Sequence, residues 1–259
     1  MADNYTTLLV EEREDRLHVR LNRPEARNAI NHVMARELDN ICASLEDTPK
    51  VLILSGTQTP SGGVFASGAD IAELRERRRN EALAGINSGV FTRIAKLPLP
   101  VIAALDGYAL GGGAELAYAA DFRIGTPRLK IGNPETGLGI LAAAGASWRL
   151  RELVGEPVAK EILLAGRILG AEEALELHLI TGIYPAEELL QAADALADQI
   201  CRQDPLAVRI TKSVFHSPAG AHPVIDQLAQ GILFESEAKF DRMQEFLSKK
   251  NADRKKTHE

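Results

Sequence analysis

The chain has 259 residues, 45% of them hydrophobic and 25% charged, a balance that supports one large domain with a short appendage and excludes disordered, collagen-like and fibrous architectures. Thirty Lys and Arg against 36 Asp and Glu leave a net charge of −6. That sign offers no overall attraction for phosphate backbones, so nucleic acid is not an expected partner.

In chain order, Leu8-Leu9-Val10 and Leu17-His18-Val19-Arg20-Leu21 flank the charged stretch from Glu11 to Arg16. The second segment alternates apolar and polar residues, which predicts an antiparallel hairpin with His18 turned to solvent. Ile30, Val33, Met34, Leu38, Ile41, Cys42 and Leu45 recur at helical spacing and predict an amphipathic helix over 31–46. Val51-Leu52-Ile53-Leu54 runs uninterrupted, as a strand covered on both faces does, and Val101 to Leu105 and Phe122-Arg123-Ile124 repeat the signal. Such strands, separated by helical segments, imply crossover connections in a layered α/β domain. From residue 152 the pattern turns helical: helices are expected at 161–164, 171–177, 187–202 and, as one long element, 224–249. One more strand is expected at 180–184 and a frayed polar end over 251–259.

Three glycine-rich stretches carry the candidate chemistry. Phe65-Ala66-Ser67-Gly68-Ala69-Asp70 leads into the apolar spacing of Ile71 and Leu74, and Asp70 suits a helix N-cap. Gly107-Tyr108-Ala109-Leu110-Gly111-Gly112-Gly113-Ala114-Glu115 follows the strand ending at Leu105. Three consecutive glycines at a helix start cost backbone entropy. Close helix-on-strand packing explains one of them; an oxyanion or phosphate resting on exposed N–H groups explains three. Glu115 then falls in the first helical turn, where a carboxylate also complements the helix dipole. Gly132-Asn133-Pro134-Glu135-Thr136-Gly137-Leu138-Gly139 is a turn-rich loop carrying a second carboxylate.

Other signals point away from alternative chemistries. Gly137-Leu138-Gly139-Ile140-Leu141-Ala142 matches G-x-G-x-x-A but follows a Pro-containing loop rather than a strand, so no dinucleotide site is expected. The run Arg75-Glu76-Arg77-Arg78-Arg79 suits a ligand phosphate but is read as a solvated helix face. No H-E-x-x-H or G-x-S-x-G occurs. Cys42 and Cys201 stand far apart without Cys or His at metal spacing, which argues against a disulfide framework and a zinc site and suits a reducing, cytoplasmic setting. Met1-Ala2-Asp3-Asn4-Tyr5 lacks the features of a signal peptide, and no apolar run approaches the ~20 residues needed to cross a bilayer, so no membrane association is expected.

Leu21-Asn22-Arg23-Pro24-Glu25-Ala26-Arg27-Asn28-Ala29 resembles the N-R-P-x-x-x-N-A opening of the enoyl-CoA hydratase/isomerase, or crotonase, family. Ser67-Gly68-Ala69-Asp70 looks like its first oxyanion loop, and Pro100-Val101-Ile102-Ala103-Ala104 through Gly107 to Leu116 looks like its second. The likeness runs from about residue 6 to about residue 250 in the family's order and spacing. It implies a crotonase-like α/β fold, a spiral of β-β-α repeats over residues 1–195, followed by a helical C-terminal region over 196–259 that mediates trimer contacts. It further implies an acyl-CoA thioester as substrate, no cofactor beyond the coenzyme A carried by that substrate, no metal, and assembly as a homotrimer or a dimer of trimers.

By position, the backbone N–H groups of Ser67 and Gly112 would hold the thioester oxygen, Glu115 would deprotonate water and Glu135 would deliver the α-proton. Arg27, Ala29, Ser67, Gly68, Ala69, Asp70, Ile71 and Gly112 would contact the CoA ester. The family also hosts double-bond isomerases, hydrolases, decarboxylases and carbon–carbon lyases, and binding of acyl-CoA without turnover is a further alternative. Two glutamates favour hydration of a trans-2-enoyl thioester, since isomerisation needs only one proton shuttle. Two departures stand out: Ala142 to Leu150 lacks the Pro-Gly and Ala-Gly-Gly common in hydratases, and Asp241-Arg242 replaces a common Glu-Gly.

Overall fold

The computed structural model describes residues 5–59 and 62–256; Met1 to Asn4, part of the stretch without signal-peptide character, lie outside them. The strands are β1 (Leu8–Glu12), β2 (Arg16–Leu21), β3 (Val51–Gly56), β4 (Gln58–Thr59), β5 (Gly62–Ala66), β6 (Val101–Leu105), β7 (Tyr108–Leu110), β8 (Phe122–Gly125), β9 (Lys130–Gly132) and β10 (Ile168–Gly170). The helices are α1 (His32–Asp47), α2 (Ile71–Glu76), α3 (Arg79–Ala84), α4 (Ile86–Ala95), α5 (Gly112–Ala119), α6 (Ala146–Val154), α7 (Glu156–Ala165), α8 (Ala171–Glu176), α9 (Leu189–Cys201), α10 (Pro205–Phe215), α11 (Val224–Phe234) and α12 (Glu237–Lys256).

Five strands form a first sheet in the order β1-β2-β3-β6-β8. The β1–β2 hairpin is antiparallel, as its alternation predicts, and the remaining pairs are parallel. The uninterrupted apolar runs have a direct cause, because β3 and β6 are covered on both faces. Leu52, Leu54, Val101 and Ala103 enter the main core with Met34, Leu38 and Ile41 of α1. Val51, Ile53, Ile102 and Ala104 point the other way, onto Leu189, Ala193 and Ala197 of α9.

That second layer corrects the reading of His18. The ring is only 6% exposed, with Nε2 2.9 Å from Asp194 Oδ1. Helix α9 lays Asp194 and Asp198 over β2, where Arg16 pairs with both.

A second sheet, β10-β9-β7-β5-β4, is built from short strands. Its centre, β5-β7-β9, is parallel. Parallel strands share a carboxyl end, so the segments that leave it emerge side by side: Ser67 after β5, Gly111 after β7 and Asn133 after β9. In open parallel sheets that end is where ligands bind. Gly107 lets β5 and β7 approach, since a Cβ there would stand 1.8 Å from the carbonyl oxygen of Gly63.

Residues through Ile200 form one compact unit and those from Cys201 a second. In the second, the long helix expected over 224–249 is two. The helix breaks at Glu235 and Ser236, where Ser236 Oγ donates to the Leu233 carbonyl (2.8 Å) and accepts the Lys239 N–H (3.3 Å), capping α12. Helix α12 runs to Lys256, through most of the stretch expected to fray; 257–259 lie outside the described residues. The expected strand at 180–184 reduces to a single bridge from Ile183 to Gly125. Among the described residues no helix is long and apolar enough to cross a membrane.

Candidate functional site

The first loop is held by the segment that carries the N-R-P-x-x-x-N-A likeness. Arg27 and Asn28 both take left-handed backbone, φ 52° and 54°, a conformation Asn tolerates better than most residues. Buried Asn28 donates through Nδ2 to the carbonyls of Val64 (2.7 Å) and Thr57 (3.2 Å), and its Oδ1 accepts the Arg23 N–H (3.0 Å). Residues 27–30 then run beside 67–70: Ser67 N–H donates to the Arg27 carbonyl (3.1 Å), Ile30 N–H to Gly68 (2.8 Å) and Asp70 N–H to Ile30 (3.0 Å).

This pairing corrects one expectation. The Ser67 amide is engaged by Arg27 and is not available to a thioester oxygen. The Ala69 amide has no acceptor among the described residues, and its nitrogen lies 3.3 Å from the point where a Cβ on Gly112 would stand. Successive amides of an extended segment face opposite ways: the Asp70 amide turns to Ile30, so that of Ala69 turns to the second loop, and Gly68, at φ 123°, interrupts the alternation between Ser67 and Ala69.

The three glycines of the second loop do different work. Gly111 has φ 51° and sits where a Cβ would be 3.0 Å from Glu135 Oε1; Gly113 seats α5 on β5, since its Cβ would meet the Ala66 carbonyl at 2.4 Å. Gly112 opens α5, so its N–H has no intrahelical partner. Gly112 therefore presents its amide beside that of Ala69.

Glu115, in the first turn of α5, is 3% exposed. Its Oε1 accepts the N–H groups of Ala144 (2.7 Å) and Ala146 (3.1 Å). Burial pushes its carboxyl up to about 7; those hydrogen bonds oppose the rise and the nearby Glu135 charge adds to it. The stretch Ala142 to Leu150, noted for departing from the hydratase pattern, thus holds a carboxylate as well as bordering a pocket. Glu135, 9% exposed, is also raised by burial, opposed by hydrogen bonds that include one from Asn133. Its Oε2 is buried without a partner among the described residues.

Both carboxylates, with Ser67, Gly68, Ala69 and Gly112, line a cavity of about 530 Å³ whose other walls include Leu74, Leu138, Ile140 and Leu141. Ile71 also lines it, whereas Arg27, Ala29 and Asp70 do not. Asp70 caps α2 and pairs with Arg23 at 3.0 Å; Arg27 lies over the Tyr108 ring, 5.0 Å from its centre. The arginine run divides. Arg75 is 84% exposed, as a solvated face requires, but Arg77 and Arg78 turn to the cavity wall. Asn133 and Tyr118, behind Glu135, were not singled out by sequence; the available signal was Tyr118 standing three residues after Glu115 on one helix. Among the described residues no cluster of three or more His, Cys, Asp or Glu is placed to hold a metal.

Residues 11–255 match the sequence profile of the family described as enoyl-CoA hydratase/isomerase. The chain is 35% identical over 258 residues to a crotonyl-CoA hydratase of Syntrophomonas wolfei, covering 96% of this chain and 97% of that one. It is 37% identical over 224 residues to a short-chain-enoyl-CoA hydratase of Clostridium acetobutylicum, covering 85% and 83%. An enoyl-CoA hydratase from Bacillus anthracis superposes with a TM-score of 0.87 at 29% identity, over 94% of this chain and 97% of that one. A Thermobifida fusca chain solved in complex with CoA superposes with a TM-score of 0.81 at 26% identity, over 91% and 95%. The expected crotonase-like α/β fold with a helical C-terminal region is therefore the one observed.

Proposed function

Since the chain belongs to the enoyl-CoA hydratase/isomerase family, we propose that it adds water across the double bond of a trans-2-enoyl-CoA to give a 3-hydroxyacyl-CoA. It is an enzyme of the enoyl-CoA hydratase type. The observation that carries the finer reading is one cavity into which two buried carboxylates and the unengaged amides of Ala69 and Gly112 all open.

The thioester oxygen accepts from those two amides, which are fixed before the reaction and stabilise the enolate charge without reorganising. Glu115, anchored through Oε1, takes a proton from water as its oxygen bonds to the β-carbon. Glu135 gives a proton to the α-carbon from Oε2. One water is consumed, and proton exchange between the acids restores the pair, whose titration belongs to both. The apolar wall of Leu74, Leu138, Ile140 and Leu141 suits the acyl chain, and a CoA-bound relative of the same fold supports the ligand class.

Purified protein is expected to abolish the conjugated enoyl-thioester absorbance of crotonyl-CoA or a longer homologue, with the 3-hydroxyacyl ester seen by mass spectrometry. Inertness toward the whole chain-length series overturns the reading. Release of free CoA, or turnover that survives Glu115→Gln, assigns another reaction of the family.

The reading includes self-assembly as a trimer or dimer of trimers. In the C-terminal unit Val224, Leu228, Ile232, Phe240, Met243 and Phe246 are exposed, more apolar surface than an isolated soluble unit ordinarily shows. Sedimentation at about three or six times the chain mass is expected; a monomer throughout the micromolar range contradicts it.

A further inference from the structure

We propose that Tyr118 is a positioning residue for the reaction, holding Glu135 in place through the side-chain amide of Asn133. The inference rests on the reading of Glu135 as the donor of the α-proton.

Tyr118 follows Glu115 by three residues on α5, so both project from the same side of the helix. Its ring is 3% exposed, and its hydroxyl donates to Asn133 Oδ1 at 3.1 Å. Asn133 is 1% exposed; its Nδ2 donates to the Gly111 carbonyl (3.3 Å) and to Glu135 Oε1 (3.4 Å). Both polar atoms of that amide are thereby committed. The remaining oxygen of Glu135, Oε2, is left buried without a partner among the described residues and faces the work of proton transfer.

The direction of this relay is set by chemistry. An amide can turn over and exchange its oxygen for its NH₂. A phenol is a donor so long as it is neutral, and complete burial pushes the Tyr118 hydroxyl well above its ordinary range, the neighbouring glutamates adding to the effect. A permanent donor facing Asn133 fixes Oδ1 toward the tyrosine and therefore Nδ2 toward Glu135. Without it only the long bond from Nδ2 to the Gly111 carbonyl (3.3 Å) holds the amide against turning Oδ1 to the carboxylate, an acceptor against an acceptor. The same Asn133 amide also ties Gly111, the residue before the Gly112 donor, to the strand end that carries Glu135.

Tyr118→Phe removes one oxygen and keeps the ring volume. It is expected to lower kcat for enoyl-CoA hydration about tenfold with KM within about twofold, the size of one lost hydrogen bond in a buried network. Asn133→Leu, which cannot turn an NH₂ to the acid, is expected to show the same pattern and serves if Tyr118→Phe does not fold.

The decisive measurement is the Glu135→Asp background, where the shortened carboxylate no longer reaches Asn133. There Tyr118→Phe is expected to add no further loss. A Tyr118→Phe enzyme with kcat within twofold of wild type, or an undiminished tenfold loss in the Glu135→Asp background, overturns the relay. Wild-type turnover by Glu135→Gln overturns instead the role given to Glu135 itself.

Discussion

Glu115→Gln is expected to lower kcat for hydration about a thousandfold, within the range of a removed general base, while leaving the protein at least as stable as wild type at about pH 8. The two halves of that result have one cause. The carboxylate is held where its acceptor oxygen is well satisfied by Ala144 and Ala146, but burial raises its pKa to about 7 and the Glu135 charge adds to the rise. In the unfolded chain the same carboxyl titrates near its ordinary 4.5. Between those values the folded protein holds a proton that the unfolded chain has released, so this residue's contribution to stability falls as pH climbs from about 4.5 to about 7 and stays lost above, a penalty on the order of 3 kcal/mol. Gln is neutral throughout and presents the same oxygen to the same two amides.

Thermal melting should therefore place Glu115→Gln at or above wild type at about pH 8, the gap narrowing toward pH 5. Wild-type kcat should decline as pH falls through about 7, where the base is protonated. A variant that melts well below wild type at alkaline pH contradicts the account of Glu115 as a carboxylate held at an energetic cost for catalysis. Glu135→Gln is expected to reduce kcat to a similar extent, because the second proton transfer is then without its acid.

The main core was readable because its pattern is strong. Val51 to Leu54 and Val101 to Leu105 are apolar at every position, and the reason is visible in their two faces, one on α1 and one on α9. The second sheet was not readable, because β7 and β9 are three residues each, too short for Tyr108 or Ile131 to sit in a recognisable alternation. Yet this sheet places the site, by bringing residues 67, 111 and 133 to one edge.

The glycine cluster signalled a close approach, which is right in kind; which amides it serves depends on pairing that no local pattern carries. Ser67 and Ala69 both belong to the motif, and only the long-range bond from Ser67 to Arg27 separates the engaged amide from the available one. His18 failed for a similar reason: alternation in β2 sets which side the ring takes, but the acidic helix that covers that side is 176 residues further on. The arginine run was misjudged in part because a charge run on a short helix also borders whatever lies beneath it, here the cavity at Arg77 and Arg78.

The oxyanion assignment makes the other large prediction, and Gly112 offers a way to remove one N–H with little else. As the first residue of α5 it occupies the position where proline is best tolerated, because the N–H there has no helical partner and φ is already suitable. The residue before it, Gly111, has no Cβ to collide with the proline ring. A Cβ at 112 would lie 3.3 Å from the Ala69 nitrogen, a tight approach that Gly112→Ala shares. The comparison of interest is thus between the two variants rather than with wild type: alanine adds the crowding and keeps the donor, proline adds the crowding and removes it.

The expected result is a kcat for Gly112→Pro about 100- to 1,000-fold below that of Gly112→Ala, the loss typical of one donor to a developing oxyanion, with similar melting temperatures. Affinity for the 3-hydroxyacyl product should change much less, since the charge that the amide stabilises is absent from the ground state. Equal kcat values for the two variants, both folded, remove the Gly112 amide from the chemistry and leave the Ala69 amide alone with the thioester oxygen.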